Sequence, residues 1–103
     1  MQMEWKGDGV ELSSGVVIVD FYAKWCGPCK TIGPVFAKLA EDAAKAKSSV
    51  TFLKIDVDKH EKAAAKYEVD SMPTFLVLVN GVTQERLEGA DAKKLEAMVK
   101  ARI

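Results

Sequence analysis

Cysteine and histidine are scarce in this sequence, which has two cysteines and one histidine among 103 residues. A structural zinc site usually takes four such ligands, and His60 lies far along the chain from both cysteines. We therefore expect no metal site. The two cysteines, Cys26 and Cys29, lie close together, and in a reducing compartment such a pair is more often catalytic or metal-binding than a structural staple.

An excess of charge of either sign is also absent, because 15 basic residues balance 15 acidic ones. This balance, without any basic block, argues against a nucleic-acid-binding surface. No apolar run approaches the roughly 18 residues that a membrane-spanning helix needs. Residues 1–15 carry acidic side chains and no apolar stretch, so we expect neither a secretory signal nor a transit peptide. The expected location is the cytoplasm.

What the sequence does contain is a pattern of strands and helices sized for one domain, residues 1–103. Val16 to Ala23 is apolar on both faces except at Asp20, which predicts a strand in the middle of a covered sheet. From Pro28 onward, apolar residues recur at helical spacing. The predicted helix has an inward stripe formed by Ile32, Val35, Phe36, Leu39, Ala40 and Ala43.

The later elements are predicted by similar signals. A second buried strand spans 50–57, and a short helix follows at 59–67, with Asp58 as its expected cap. A third strand spans 73–79, and Asn80-Gly81 predicts a hairpin to an antiparallel strand at 82–88. A last helix begins after Gly89-Ala90-Asp91, with Leu95, Met98, Val99 and Ile103 as its inward residues. We expect an α/β fold with a mixed sheet and helices on both faces, in which a helix joins two parallel strands.

The two cysteines lie where the first buried strand gives way to the helix. Cys26 falls at the helix start, where free backbone N–H groups and a partial positive charge favour a thiolate. Cys29 continues the apolar stripe backwards, so we expect Cys29 to face the core and Cys26 to face solvent. Cys26 would then attack a disulfide, and Cys29 would resolve the mixed disulfide. Gly27 keeps the intervening loop open, and Pro28 stiffens it.

Asp20 is the second anomaly, since burial among apolar residues should raise the pKa of its carboxyl group. We expect Asp20 to take the proton from Cys29, with Lys54 on the neighbouring strand moderating the shift. The alternative is a buried carboxylate that is merely satisfied by the backbone or by Lys54. The residues themselves leave both interpretations open.

Two further residues near the cysteines have more than one interpretation. Trp25 is either a core aromatic or an exposed contact next to the thiols, and the adjacent Cys26 favours the exposed contact. Pro73 opens a strand, and a trans peptide bond is the ordinary expectation there. A cis Met72–Pro73 bond would instead leave the backbone of Met72 free to pair with an extended peptide.

The sequence resembles the thioredoxin family. The resemblance covers residues from about Val16 to the C-terminus, and its blocks occur in the family's order and with similar spacing. They are Val19-Asp20-Phe21-Tyr22-Ala23, Trp25-Cys26-Gly27-Pro28-Cys29-Lys30, Lys54-Ile55-Asp56, Met72-Pro73-Thr74-Phe75, Asn80-Gly81 and Glu88-Gly89-Ala90.

The resemblance implies a thioredoxin fold with a four- to five-stranded mixed sheet, and a protein-disulfide oxidoreductase. Cys26 would be the nucleophile, Cys29 the resolving thiol, Asp20 the buried proton acceptor and Pro73 a cis proline. Trp25, Gly27, Pro28, Met72, Pro73 and Gly89 would form the surface that docks partners. No cofactor would be bound; electrons would come from NADPH through thioredoxin reductase. Expected clients of this monomer are ribonucleotide reductase, peroxiredoxins and methionine sulfoxide reductases.

The chain departs from the family pattern at its start. The segment before Asp20 is shorter than usual by a little more than one helical turn, so the first strand or helix, within residues 1–15, is expected to be truncated or absent. Two alternatives to a disulfide reductase also stay open. One is a disulfide oxidase or isomerase on the same fold, and the other is a non-catalytic binding subunit that uses the same surface.

Overall fold

A computed structural model describes all residues, 1–103, as a five-stranded sheet with four helices. The expected α/β fold, with a mixed sheet covered on both faces, is confirmed. The elements in chain order are β1 (Gln2–Glu4), α1 (Val10–Ser13), β2 (Val16–Tyr22), α2 (Gly27–Lys45), β3 (Thr51–Asp56), α3 (Glu61–Lys66), β4 (Thr74–Val79), β5 (Val82–Glu88) and α4 (Ala92–Lys100).

The sheet has the strand order β1-β3-β2-β4-β5. Strands β1, β3 and β2 run parallel, whereas β4 pairs antiparallel with β2 and β5 pairs antiparallel with β4. The predicted hairpin is present, and its Asn80 and Gly81 have φ angles of 49° and 84°. Two consecutive positive φ angles suit the tight turn whose twist matches that of the paired strands. The central position of β2 explains why its residues are apolar on both faces.

Two hydrophobic cores lie on opposite faces of the sheet. Helices α2 and α4 cover one face, where Phe36 packs against Phe52 and Phe75 with ring centroids 5.6 and 5.7 Å apart. The other face is covered by the N-terminal segment, with Trp5 and Leu12 in the core and α3 packed beside them. Because side chains alternate along β2, Ile18 belongs to the first core and its neighbours to the second.

The long helix α2 follows the predicted pattern closely. Cys26 is its N-cap, and Pro28 lies in the first turn, where a missing N–H costs no hydrogen bond. Its buried residues are Cys29, Ile32, Phe36, Leu39, Ala40 and Ala43, so the predicted stripe is confirmed except that Val35 is only partly buried. Pro34 lies inside the helix. Neither α2 nor any other helix has the length and apolar character required to cross a bilayer.

Several local predictions need correction. Asp58 does not cap α3, which begins at Glu61 after His60 and has no side-chain cap. The backbone N–H of Asp58 instead donates to the carboxylate of Asp56, so a turn at the end of β3 takes the place of the expected capping box. Ile103 is exposed rather than inward, because α4 ends at Lys100.

The N-terminal elements are present but short. Strand β1 has three residues and pairs with β3 at the edge of the sheet, and α1 has four residues. Residues 1–15 therefore contain both a first strand and a first helix, so neither element is absent. Trp5, directly after β1, is buried, so this short segment still contributes to the core.

Candidate functional site

Cys26 and Cys29 form a disulfide at the junction between β2 and α2, with their Cα atoms 5.3 Å apart. Strand β2 ends at Tyr22, and the short connection of residues 23–26 brings Cys26 to the start of α2. The structure therefore describes the oxidised form of the pair. Two electrons and two protons convert this form into the dithiol, which is the redox change that a Cys-x-x-Cys pair can catalyse.

Cys26 occupies the N-cap position that the sequence predicts. Its Sγ accepts a hydrogen bond from the backbone N–H of Cys29, with an N···S distance of 3.1 Å. The first N–H groups of a helix have no partner within the helix and carry a partial positive charge. A thiolate formed at Cys26 after reduction would lie against these donors, which favours ionisation of this thiol.

The prediction that Cys29 faces the core is confirmed, but the prediction that Cys26 faces solvent is wrong for this oxidised structure. Cys26 is 4% exposed and Cys29 is 7% exposed, so both are buried. The reason lies outside α2: Ala23 and the partly buried Val57 and Met72 pack around the disulfide. The apolar periodicity of a helix predicts which of its side chains face the core, but it does not predict which residues of neighbouring loops cover the others.

Asp20 lies in the middle of β2 and is 2% exposed. Burial raises the pKa of its carboxyl group from the ordinary 3.8 to about 7, while Lys54 opposes the rise and Glu4 adds to it. The expected elevation of the pKa, moderated by Lys54, is confirmed. One carboxyl oxygen of Asp20, Oδ1, is buried without a hydrogen-bond partner. Near neutral pH this group can both hold and release a proton.

A cavity of about 620 Å³ connects the buried acid with the disulfide. Asp20 and Cys29 both line it, below the first turns of α2, and Lys54 lines it from the adjacent strand. Asp20 and Lys54 are directly paired in the register of β2 and β3. The structure thus brings together the three residues that the sequence associates with proton transfer.

Trp25, Gly27 and Pro28 surround the disulfide on the outside of the molecule, and all three are exposed. Trp25 is 69% exposed, which excludes the interpretation as a core aromatic. Its indole Nε1 donates a hydrogen bond to Asp58 Oδ2 at 3.0 Å. Sequence reasoning missed this role of Asp58, because it treated Asp58 as a helix cap; nothing local to Asp58 in the chain signals a partner at Trp25.

A second segment lies beside the disulfide, in which Met72 is partly buried and Pro73 is buried. The Met72–Pro73 peptide bond is cis, and Met72 packs against the cysteine cluster. Neither the N–H nor the C=O of Met72 takes part in a hydrogen bond, whereas the C=O of Pro73 accepts one from Gly89 N–H at 2.9 Å. Gly89 has a φ of 99°, a conformation that favours glycine. Met72 therefore offers a free backbone donor and acceptor next to the disulfide.

One arrangement near Asp20 gave no signal in the sequence. Tyr22 Oη donates to Glu4 Oε2 at 2.8 Å, and the Lys54 ammonium lies 4.5 Å from the centroid of the Tyr22 ring. These residues come from three strands, so their meeting depends on the strand order and not on any local pattern.

The structure has no cluster of three or more His, Cys, Asp or Glu side chains able to hold a metal ion.

Comparisons with known proteins agree with this geometry. The thioredoxin family model matches residues 4–101. A thioredoxin of Malassezia sympodialis is 45% identical over 84 residues, which are 82% of this chain and 78% of that protein. Thioredoxin-1 of Schizosaccharomyces pombe is 44% identical over 88 residues, which are 85% of this chain and 82% of that protein.

Solved structures show the same likeness in three dimensions. The crystal structure of a reduced thioredoxin pre-protein of Schistosoma mansoni superposes with a TM-score of 0.84 at 42% identity, covering 99% of this chain and 98% of that one. A thioredoxin structure from Plasmodium falciparum gives a TM-score of 0.86 at 33% identity, covering 99% and 98% of the two chains. With its disulfide-bonded Cys26 and Cys29, this chain is a protein-disulfide oxidoreductase that belongs to the thioredoxin family.

Proposed function

We propose that the protein is a general protein-disulfide reductase and dithiol electron carrier. The observation that carries this proposal is the disulfide at the start of α2 with a buried carboxyl group of raised pKa lining the same cavity. The helix start favours a thiolate at Cys26, and the acid supplies a nearby proton acceptor for Cys29. A non-catalytic binding subunit has no need for either property.

In the proposed cycle, the reduced protein begins with a Cys26 thiolate and a Cys29 thiol. The Cys26 sulfur attacks one sulfur of the client disulfide, and the other client sulfur leaves as a thiolate. Asp20, as a carboxylate, then accepts the proton of Cys29, whose sulfur attacks Cys26 Sγ. The second client sulfur leaves, so both electrons pass to the client and the Cys26–Cys29 disulfide of this structure remains.

The proposed docking surface consists of residues around the disulfide: Trp25, Gly27, Pro28, Met72, Pro73 and Gly89. Support comes from the exposure of Trp25 and from the unpartnered backbone N–H and C=O of Met72. An extended client segment can pair with such backbone groups as it would with a strand edge. Because Cys26 is buried in the oxidised form, contact with a reductant or client has to displace or approach past its covering residues.

The proposed source of electrons is NADPH, through a thioredoxin reductase, with no cofactor bound to this chain. The proposed clients are ribonucleotide reductase, peroxiredoxins and methionine sulfoxide reductases, and the proposed location is the cytoplasm. Membership of the family supports these assignments. The proposed working form is a monomer that binds neither nucleic acid nor membranes, in line with the balanced charge of the chain.

The decisive experiment compares two cysteine variants in insulin-disulfide reduction with NADPH and a thioredoxin reductase. Cys26→Ser is expected to abolish turnover, since no nucleophile remains to form the mixed disulfide. Cys29→Ser is expected to attack once and then accumulate as a mixed disulfide, visible as a mass increase in non-reducing conditions. Turnover retained by Cys26→Ser, or binding of clients without any covalent intermediate, would contradict the proposed reductase.

A reduction potential distinguishes the reductase from an oxidase or isomerase. The oxidised protein is equilibrated with glutathione buffers, and the fraction of disulfide is measured. A reductase is expected to have a potential below that of the glutathione pool, so that electrons flow from the protein to its clients. A potential well above that pool would favour the oxidase.

A further inference from the structure

One row of side chains crosses three strands next to the buried acid. In the register of the sheet, Glu4 of β1 is paired with Lys54 of β3, and Lys54 is paired with Asp20 of β2. Directly paired residues of neighbouring strands point to the same face of a sheet. Lys54 is therefore the middle residue of a row whose two ends are acidic, with Glu4 exposed at the sheet edge and Asp20 buried.

Lys54 forms an ion pair with neither carboxylate. Its ammonium lies over the ring of Tyr22, 4.5 Å from the centroid, which is a favourable cation–π distance. The hydroxyl of the same ring donates to Glu4 Oε2 at 2.8 Å. Tyr22 thus contacts Glu4 through its hydroxyl group and Lys54 through the face of its ring. Asp20 Oδ1 has no hydrogen-bond partner.

The electrostatic effects on Asp20 oppose each other. Burial raises the pKa of Asp20 to about 7, Lys54 lowers it and Glu4 raises it. Tyr22 stays a hydrogen-bond donor, because burial and the bond to Glu4 both raise the pKa of its hydroxyl. Any change that lets Lys54 move from the ring of Tyr22 towards Asp20 would strengthen the opposing effect.

The other elements packed around Asp20 have few charged groups that could shift the pKa of Asp20 in place of Lys54 and Glu4. Strand β4 places Phe75 directly opposite Asp20, and α2 contributes the disulfide-bonded Cys29. The remaining charged groups that face this region are Lys24, Lys30 and Asp56. Lys24 and Lys30 are exposed, and Asp56 is paired in register with Tyr22 rather than with Asp20.

We infer that Glu4 and Tyr22 are positioning residues, which hold the Lys54 ammonium over the Tyr22 ring and away from Asp20, so that the buried acid keeps its proton more tightly. Glu4 reaches this position because the short β1 pairs with β3 at the sheet edge. The short N-terminal strand would then adjust the chemistry of the disulfide through two contacts, the hydrogen bond from Tyr22 to Glu4 and the cation–π contact of Lys54 with Tyr22. The kinetic consequence rests on the proposed role of Asp20 as the proton acceptor.

The test follows the titration of the Asp20 carboxyl carbon by NMR in the oxidised protein. Glu4→Gln removes the charge but keeps an oxygen that can accept from Tyr22. It is expected to lower the pKa of Asp20 by about half a pH unit, as one charge at this range allows. Glu61→Gln, on α3 across the sheet, makes the same change in net charge and is expected to leave the titration unaltered.

Two further variants separate positioning from simple repulsion. Tyr22→Phe keeps the ring but releases Glu4, and is expected to lower the pKa of Asp20 in the same direction. Lys54→Met should raise it, and in that background Glu4→Gln should have less effect than in the parent chain. An equal effect of Glu4→Gln in both backgrounds, or an unchanged titration in Glu4→Gln, would overturn the inference.

Kinetics then separate this inference from the proposed function. The rate at which the mixed disulfide resolves is measured against pH, and the acidic limb of the profile should move with the NMR titration of Asp20 in Glu4→Gln. If the titration moves, and moves less in the Lys54→Met background, while the rate profile does not move, positioning by Glu4 stands and the proton-acceptor role of Asp20 fails. If the titration does not move, positioning fails whatever the rates show.

Discussion

At the scale of single residues, Asp20 makes the folding stability of the molecule depend on pH. Below the ordinary pKa of 3.8, the carboxyl group is protonated in both the folded and the unfolded chain. Between 3.8 and about 7, the unfolded chain releases the proton while the folded protein still holds it. The folded state therefore loses stability as pH rises through this window, and the total loss is on the order of 4 kcal/mol.

The variant Asp20→Asn tests this at the same position with a side chain of nearly the same shape. We expect it to be more stable than the parent protein at pH 8, by up to a few kcal/mol, because the amide carries no buried charge. At pH 4 the advantage should largely vanish. Urea unfolding of the oxidised proteins at both pH values measures the difference.

The exposed Asp70 supplies the matched control. Asp70→Asn changes the net charge equally but removes no buried group, so its effect on stability should be small at both pH values. A stabilisation by Asp20→Asn that is the same at pH 4 and pH 8 would show that buried charge is not its cause.

At the scale of elements, Arg86 of β5 forms hydrogen bonds with the C-terminal end of α3. Its guanidinium donates to the carbonyl oxygens of Tyr67 and Glu68 at 2.7 and 2.6 Å. These carbonyls belong to the end of the helix, where the helix provides no partners of its own. The chain then continues towards Met72 and the disulfide. These two hydrogen bonds therefore stabilise the conformation of residues 67–72, which lead into the proposed docking surface.

Arg86→Met is therefore expected to loosen residues 67–72 and to cost about 1 kcal/mol of stability, since the bonds are charge-assisted but partly exposed to water. Hydrogen exchange of these backbone amides should become faster, and reduction of clients should show a higher KM.

Arg102→Met is the comparison for this variant, because the guanidinium of Arg102 donates to the side chain of Glu85 and to no backbone carbonyl. It should leave exchange in residues 67–72 unchanged. Equal rates of amide hydrogen exchange in residues 67–72 of the parent protein and of Arg86→Met would contradict the stabilising role of Arg86.

At the scale of the whole molecule, the short N-terminal segment completes the core on one face of the sheet. Trp5 is 8% exposed, and its backbone N–H donates to Lys54 O at 2.8 Å. The centroids of the Trp5 and His60 rings lie 4.7 Å apart. Its indole Nε1 also donates to Asp8 O at 2.8 Å. The segment before β2 is thus integrated into the fold even though its strand has only three residues.

The two tryptophans provide a direct comparison of this integration. Trp5→Ala is expected to cost about 3–5 kcal/mol, because it leaves a cavity and removes an indole hydrogen bond. Trp25→Ala, at an exposed position, should change the free energy of unfolding little. Thermal and urea unfolding measure both variants, and similar losses for the two would show that Trp5 is not part of the core.

The residues that follow local periodicity were predicted well. The apolar run of β2, the stripe of α2 and the turn at Asn80-Gly81 each encode their structure within a few neighbouring positions, because strand, helix and hairpin geometry repeat over that range. The same reasoning placed Cys26 at a helix start, and it anticipated the raised pKa of Asp20 from its apolar neighbours.

The sequence by itself thus determined the elements, the cysteine pair and the buried acid. Only the tertiary structure decided that Cys26 is covered, that Asp58 accepts a hydrogen bond from Trp25 rather than capping α3, and that Tyr22 contacts both Glu4 and Lys54. Each of these contacts joins residues from different elements. Their meeting depends on strand order and loop packing, which arise from burial summed over the whole chain and leave no periodic trace near any one residue.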